Sequence, residues 1–131
     1  MFEKNIRVYY EDTDAGGIVY HSNYLNFMER CRCDWLMSLG YNVAELEENQ
    51  GLVFVVREAA LIFERPARLF DELRVTAEVL QVGKVKLVLE QAVYTERQLL
   101  CRATIKLAAL DSTSYKLRAM PSMLRQAMQA G

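Results

Sequence analysis

Residues Ser22 to Gly40 read SNYLNFMERCRCDWLMSLG. Apolar members recur at Tyr24, Phe27, Met28, Cys31, Trp35 and Leu39, the spacing of a helix that turns one face to a core. Ser22 or Asn23 is placed to cap the exposed amides at its start, and Gly40 stands where a left-handed terminating residue belongs. The pattern predicts a helix of about four to five turns. Trp35, Phe27 and Met28 form its core stripe.

Upstream, Asn5 to Tyr10 (NIRVYY) sets Ile6, Val8 and Tyr10 against Asn5, Arg7 and Tyr9, the alternation of a strand with one buried face. A turn-rich segment, Glu11 to Gly17, and a short apolar run, Ile18 to Tyr20, connect it to the helix. Downstream, Val43 to Asn49 predicts a short second helix. Runs rich in Val, Leu, Ile and Phe then predict strands over Leu52–Glu64, Leu73–Val82, Lys84–Thr95 and Leu99–Leu110, with a hairpin at Gly83 and a turn at Glu96–Gln98. Pro121 can start a final helix with Met123, Leu124, Ala127 and Met128 on one side. No internal repeat, low-complexity tract or linker is visible. The expected class is α+β: a long central helix wrapped by a curved antiparallel sheet of about five strands. Arg57 and Glu58 interrupt an apolar strand, where an unpaired buried charge is costly, so they are expected near a subunit interface or a site.

The 131 residues, 52% hydrophobic and 25% charged, fit a single folded domain over 1–131 and exclude wholesale disorder. A chain of this length hides roughly two-thirds of its unfolded surface. That is too little for a deep enclosed cavity, so a large ligand site is expected to be shared between subunits. Sixteen Lys and Arg against seventeen Asp and Glu give a net charge of -1, and nucleic acid is not an expected partner. No apolar run approaches the ~20 residues of a membrane span, and Met1–Arg7 lacks a signal core, so a cytoplasmic location is expected. Three cysteines cannot all pair within one chain. Cys31 and Cys33 lie two apart on a helix, pointing away from each other, and all three are expected as reduced structural thiols.

The densest polar group lies between the first strand and the long helix: Tyr10, Glu11, Asp12, Asp14, Gly16, Gly17 and His21. A calcium loop fails there, with Gly16 where an oxygen ligand belongs and Asn23 where a bidentate Glu is required. Zinc fares worse, because His21 is the only histidine. No serine has a nucleophile-elbow setting, and phosphate-loop and dinucleotide glycine patterns are missing. Cys31 and Cys33 lie within the helix, away from its activating start. What remains is Asp14, beside a glycine-permitted tight turn that leads into a helix N-terminus. The free amides there can stabilise an oxyanion, while the carboxylate attacks a carbonyl or deprotonates water. The competing reading is that Asp12 and Asp14 only brace a turn, the commoner role by spacing alone.

The segment YYEDTDAGGIVYHSNYLNFMERCR, Tyr9 to Arg32, closely resembles the signature of hotdog-fold acyl-CoA thioesterases of the 4-hydroxybenzoyl-CoA thioesterase group. The likeness is to the bacterial subgroup associated with the Tol-Pal envelope system in particular. FVVREAALIFERPARLFDEL, Phe54 to Leu73, looks like the family's second strand and Pro-Ala turn, and RAMP, Arg118 to Pro121, like its ending, so nearly the whole chain is covered. The resemblance implies that Asp14 is the catalytic carboxylate, that the His21 backbone amide polarises the thioester carbonyl, and that the His21 imidazole and Tyr10 phenol orient water or the carboxylate. It further implies dimers joined sheet edge to sheet edge, often paired into homotetramers, with the ligand at the subunit boundary. The substrate implied is acyl-CoA, with acyl carrier protein thioesters as a second candidate and no metal or organic cofactor. Lys84, Lys86, Arg57 and Arg65 are candidate phosphate partners. Glu29 matches a glutamate of the family's helix; its alternative reading is an exposed charge paired with Arg30 or Arg32. A catalytically idle acyl-CoA-binding scaffold of an envelope lipid-synthesis complex is the first alternative function. A dehydratase or isomerase on the same fold is the second, disfavoured because its acid and histidine lie in another segment.

Overall fold

Helix α1, Asn23–Ser38, buries Tyr24, Phe27, Met28, Cys31, Trp35 and Leu36, close to the stripe its spacing predicts, in a computed structural model that describes residues 1–130. It ends as expected, with Gly40 at φ 91°, in the left-handed region that favours glycine. The expected side-chain cap is not formed. Ser22 occupies the N-cap position in a helical conformation and makes no capping bond, while the Asn23 side chain reaches back to the Asp12 carbonyl. The first turn thus keeps amides that no side chain satisfies.

The strands are β1 (Phe2–Arg7), β2 (Leu52–Phe63), β3 (Glu72–Val82), β4 (Lys86–Thr95) and β5 (Gln98–Asp111), with helices α2 (Val43–Gln50) and α3 (Ser122–Ala130). They form one antiparallel sheet in the order β1-β3-β4-β5-β2, and α1 lies across β1, β3 and β4. The expected five-stranded α+β architecture is therefore present.

The first strand sits earlier than its alternation indicated. The Tyr9 amide donates to the Asp12 carboxylate at 3.0 Å, and the Asp12 amide donates to the Tyr9 carbonyl at 3.0 Å. This drives Tyr10–Asp12 into a 3-10 turn. Ile6 and Val8 are buried as expected, but Tyr10 is 73% exposed. Its place in the alternation belonged to a strand that had already ended.

Gln91 on β4 is fully buried. Its side-chain amide donates to the carbonyls of Met28 at 3.0 Å and Thr76 at 3.4 Å, and its oxygen accepts from Arg32 Nη1 at 2.9 Å. One polar side chain thereby pegs α1 to the sheet. At the free edge, β2 carries a bulge between Val56 and Glu58, which leaves Arg57 as the extra residue. Arg57 and Glu58 are both exposed, and Glu58 pairs with Lys106 at 2.9 Å. Along this edge Val56 and Phe63 remain 47% and 50% exposed, although the Tyr24 ring of α1 meets Phe63 edge-on at 5.4 Å.

Candidate active site

The loop after the 3-10 turn closes on itself through a bridge between Thr13 and Val19. The Asp14 amide donates to the Ile18 carbonyl at 2.9 Å, and the Gly17 amide returns to the Asp14 carbonyl at 3.1 Å. Gly17 adopts φ 77°, which a side chain would strain. Asp14 is exposed. Its Oδ1 accepts from the Gly16 amide at 2.8 Å, and Oδ2 has no partner among the described residues. A Cβ on Gly16 would stand 3.3 Å from that Oδ1, so the glycine admits the close approach. Both aspartates make side-chain bonds within the turn, as the competing reading has it. Asp12 is buried; Asp14 is exposed, with one oxygen anchored and the other without a partner among the described residues.

The base of this loop is tied to the start of α1. The Asp12 carbonyl accepts from the Tyr20 amide at 3.1 Å and from Asn23 Nδ2 at 2.8 Å. The His21 and Ser22 amides between these anchors have no acceptor among the described residues, at the end of α1 where the helix dipole is positive. A third segment flanks the loop: Val19 donates to the Ala67 carbonyl at 2.8 Å, Leu69 to that of Gly17 at 3.2 Å, and Ile18 bridges Arg68. The Ala67 amide in turn donates to the Tyr24 hydroxyl at 3.0 Å. Burial pushes that phenol above its ordinary pKa, partly opposed by the Ala67 amide, so it stays neutral.

The structure brings Asp14 and the His21 backbone to one loop–helix junction. It does not hydrogen-bond the predicted accessory rings to Asp14: the His21 imidazole stacks on Tyr20 at 4.4 Å, and Tyr10 meets Phe70 edge-on at 6.0 Å. Among the predicted phosphate partners, Arg65 is exposed at the Asp14 end of the sheet and Arg57 is at mid-edge. Lys84 and Lys86 belong to the β3–β4 hairpin at the opposite end, roughly 30 Å away at the rise of a strand. Arg68, exposed beside Ile18, is the cation sequence reading missed. Its signal was its place in the Pro-Ala turn.

Along the other flank of α1, an open cleft of about 550 Å³ runs between α1, α2 and β2, lined by Glu29, Arg32, Cys33, Leu36, Phe54 and Val56 among others. Burial lowers the pKa of the Arg32 guanidinium, which the Glu29 charge partly opposes. Glu29 is exposed, as its alternative reading held, but pairs with neither arginine: Arg32 goes to Gln91, and Arg30 lies 6.0 Å over the Phe27 ring. Burial pushes the Cys31 thiol up to about 12, with Asp34 adding to the rise, and Cys101 to about 11. Burial and then Glu29 raise that of Cys33. All three cysteines are free, and none is an activated nucleophile. Among the described residues, no cluster of three or more His, Cys, Asp or Glu side chains could hold a metal ion, and no helix is long and apolar enough to cross a membrane.

A five-stranded antiparallel sheet around one long helix, with a carboxylate loop at the helix start, defines a hotdog-type protein, and residues 8–128 match the Thioesterase-like superfamily. The chain belongs to that family. It is 40% identical over 126 residues to the acyl-CoA thioesterase YbgC of Haemophilus influenzae, covering 96% of this chain and 93% of that one. It is 36% identical over 125 residues to the acyl-CoA thioester hydrolase YbgC of Escherichia coli O6:H1, covering 95% and 92%. The crystal structure of a probable thioesterase from Bartonella henselae superposes with a TM-score of 0.87 at 32% identity, covering 91% of this chain and 98% of that one.

Proposed function

We propose that the chain, as one hotdog unit over residues 1–131, hydrolyses acyl-CoA thioesters to the free acid and CoA. The observation that carries this reading is the Asp14 carboxylate, anchored through one oxygen by Gly16 and open at the other, beside the His21 and Ser22 amides, which precede α1 and have no acceptor among the described residues. The thioester oxygen docks on the His21 amide, where the dipole stabilises the charge that develops as the carbon becomes tetrahedral. Asp14 Oδ2 then takes a proton from the attacking water, or attacks the carbon itself to give an anhydride that water opens. In both routes water supplies the hydroxyl of the acid and the proton that ends on the CoA sulfur. The Tyr10 phenol and His21 imidazole, neither bonded to Asp14, are left to orient water once substrate is bound.

The ligand site is completed by a second copy along the free edge of β2. Antiparallel pairing centred on that strand sets its Phe63 end against the partner's Leu52 end. Each Asp14 loop then meets the partner's apolar cleft, which offers room for the acyl group. In the same pairing Lys84 and Lys86 approach a phosphate only from the partner, while Arg57 and Arg65 serve from either chain. A dimer of dimers, thioesters of acyl carrier protein and membership of the Tol-Pal-associated 4-hydroxybenzoyl-CoA thioesterase subgroup rest on the Tyr9–Arg32 resemblance. Three free thiols fit the reducing cytoplasm.

A free-thiol release assay over acyl-CoAs of graded chain length, with wild type and Asp14→Asn, tests the reading. Turnover falling by about 10²–10⁴-fold in the variant is expected for loss of a general base. Folded wild type that hydrolyses none of them points to the idle acyl-CoA-binding scaffold, and unchanged turnover in the variant removes Asp14 from the mechanism.

A further inference from the structure

Three residues of the Pro-Ala turn lie along the Asp14 loop as a splint. The Ala67 carbonyl accepts from the Val19 amide at 2.8 Å, the Leu69 amide donates to the Gly17 carbonyl at 3.2 Å, and Arg68 bridges Ile18 between them. The Ile18 carbonyl in turn accepts from the Asp14 amide at 2.9 Å. Where the splint lies therefore decides where Asp14 lies.

The splint is anchored to α1 by one side chain. Ala67 is fully buried, and no backbone carbonyl among the described residues takes its amide, an orphan that would be costly. The Tyr24 hydroxyl, in the first turn of α1, accepts that amide at 3.0 Å. Its ring is braced edge-on by Phe27 at 6.2 Å and Phe63 at 5.4 Å, so the oxygen is fixed to the helix. Phenylalanine in its place would keep the packing and lose only the tether. At 3% exposure Tyr24 does not reach substrate, and with its pKa raised by burial above all the phenol is no base. The preceding residue, Asn23, holds the Asp12 carbonyl. Consecutive residues of α1 thus grip the Asp14 loop at both of its chain ends, one directly and one through the splint.

We propose that Tyr24 is a positioning residue for thioester hydrolysis: its hydroxyl, through Ala67 and Val19, holds the Asp14 carboxylate in register with the amides that precede α1. It acts only through that placement and touches no reacting atom. The role in turnover rests on the hydrolase reading; the tethering of the loop does not.

Tyr24→Phe tests it with two readouts. In steady-state hydrolysis, kcat per folded molecule is expected to fall about tenfold with KM little changed, since small misplacements of a reacting group are costly. In an Asp14→Asn background the same substitution is expected to add no further loss, because a residue that acts through Asp14 then has nothing to place. By hydrogen exchange, the Asp14 and Val19 amides are expected to quicken by more than the core amides of β4 and β5, which follow global unfolding. Replacing Tyr24 with 3-fluorotyrosine keeps the ring and the hydroxyl and weakens only the acceptor, and an intermediate kcat is expected. Unchanged kcat in Tyr24→Phe, a further loss in the Asp14→Asn background, or loop amides that quicken only in step with the core overturns the proposal. If Tyr24→Phe does not fold, the fluorinated protein decides, and a wild-type kcat there overturns it. Wild type that hydrolyses no acyl-CoA would refute the hydrolase reading and with it the role in turnover, while preferential loop exchange in Tyr24→Phe would still establish the tether.

Discussion

The Asn23 side-chain amide donates to the Asp12 carbonyl at 2.8 Å, fastening the first residue of α1 to the base of the loop that carries Asp14. An asparagine whose type marks it as a helix cap serves here as a strut between two parts of a site. The free amides of the helix start and the carboxylate loop are held in register by that bond and by the Tyr20 amide on the same carbonyl.

Asn23→Ala is expected to cost about 1 kcal/mol of stability, the net worth of one such hydrogen bond, and to lower kcat by more than the population of unfolded protein explains. Urea unfolding read alongside steady-state thioester hydrolysis separates the two. A loss of stability with kcat intact would show the strut to be structural only.

The glycines of the loop should behave differently from each other. A Cβ on Gly16 meets Asp14 Oδ1 at 3.3 Å, so Gly16→Ala displaces the carboxylate and is expected to reduce kcat about tenfold or more, since small misplacements of a reacting group are costly. Gly17→Ala meets no atom within 4 Å but must adopt φ 77°, and is expected to cost about 1–2 kcal/mol in stability. Thermal melts and kinetics on both variants check the division.

Gln91→Leu keeps the volume of the buried side chain but leaves Arg32 and the Met28 carbonyl without its bonds. Destabilisation of about 1–3 kcal/mol is expected from the unsatisfied groups, measured as a lower denaturant midpoint with an unchanged slope. A variant as stable as wild type would mean that Arg32 finds another partner at the cleft.

The buried thiols give the fold an alkaline limit. Burial lifts the Cys31 pKa from 9.0 to about 12 and that of Cys101 to about 11. Above pH 9 the unfolded chain loses these protons first and binds fewer than the native state, so unfolding free energy falls as pH rises from about 9 towards the native values. Below pH 9 both states hold the protons and the contribution is complete. Chemical unfolding between pH 8 and 11 should show this decline, flattened in Cys31→Ala relative to its own value at pH 8. Under native conditions at pH 8, the partly exposed Cys33 should be the first of the three to react with a thiol reagent.

Tyr10 shows where reading along the chain fails. Alternation assigned it to a buried face, yet the Asp12 carboxylate had already turned the backbone out of the sheet, and a side-chain-to-backbone bond of that kind leaves no period in the sequence. Lys84 and Lys86 show what a local reading leaves open. Being cationic and near a turn selects a residue type, not an end of the sheet, and strand pairing puts them opposite Asp14. Arg68 lies in the Pro-Ala turn, but its place beside the Asp14 loop comes from the bridge to Ile18, a contact between residues fifty positions apart.

By itself the sequence determined the elements and their order, because helix and strand periods are local consequences of which side chains must leave water. It also marked Asp14 as a candidate, since a carboxylate followed by permissive glycines and a helix start is a local pattern; spacing alone favoured a turn role, and the Tyr9–Arg32 resemblance supplied the rest. Only the tertiary structure decided that Asp12 is buried while Asp14 keeps one oxygen open, that Phe70 stands against Tyr9 and Tyr10, and that Gln91 ties α1 to the sheet. Each depends on hydrogen bonds and ring contacts whose geometry is set only after the sheet has closed around the helix, and long-range contacts of that kind have no periodic trace along the chain.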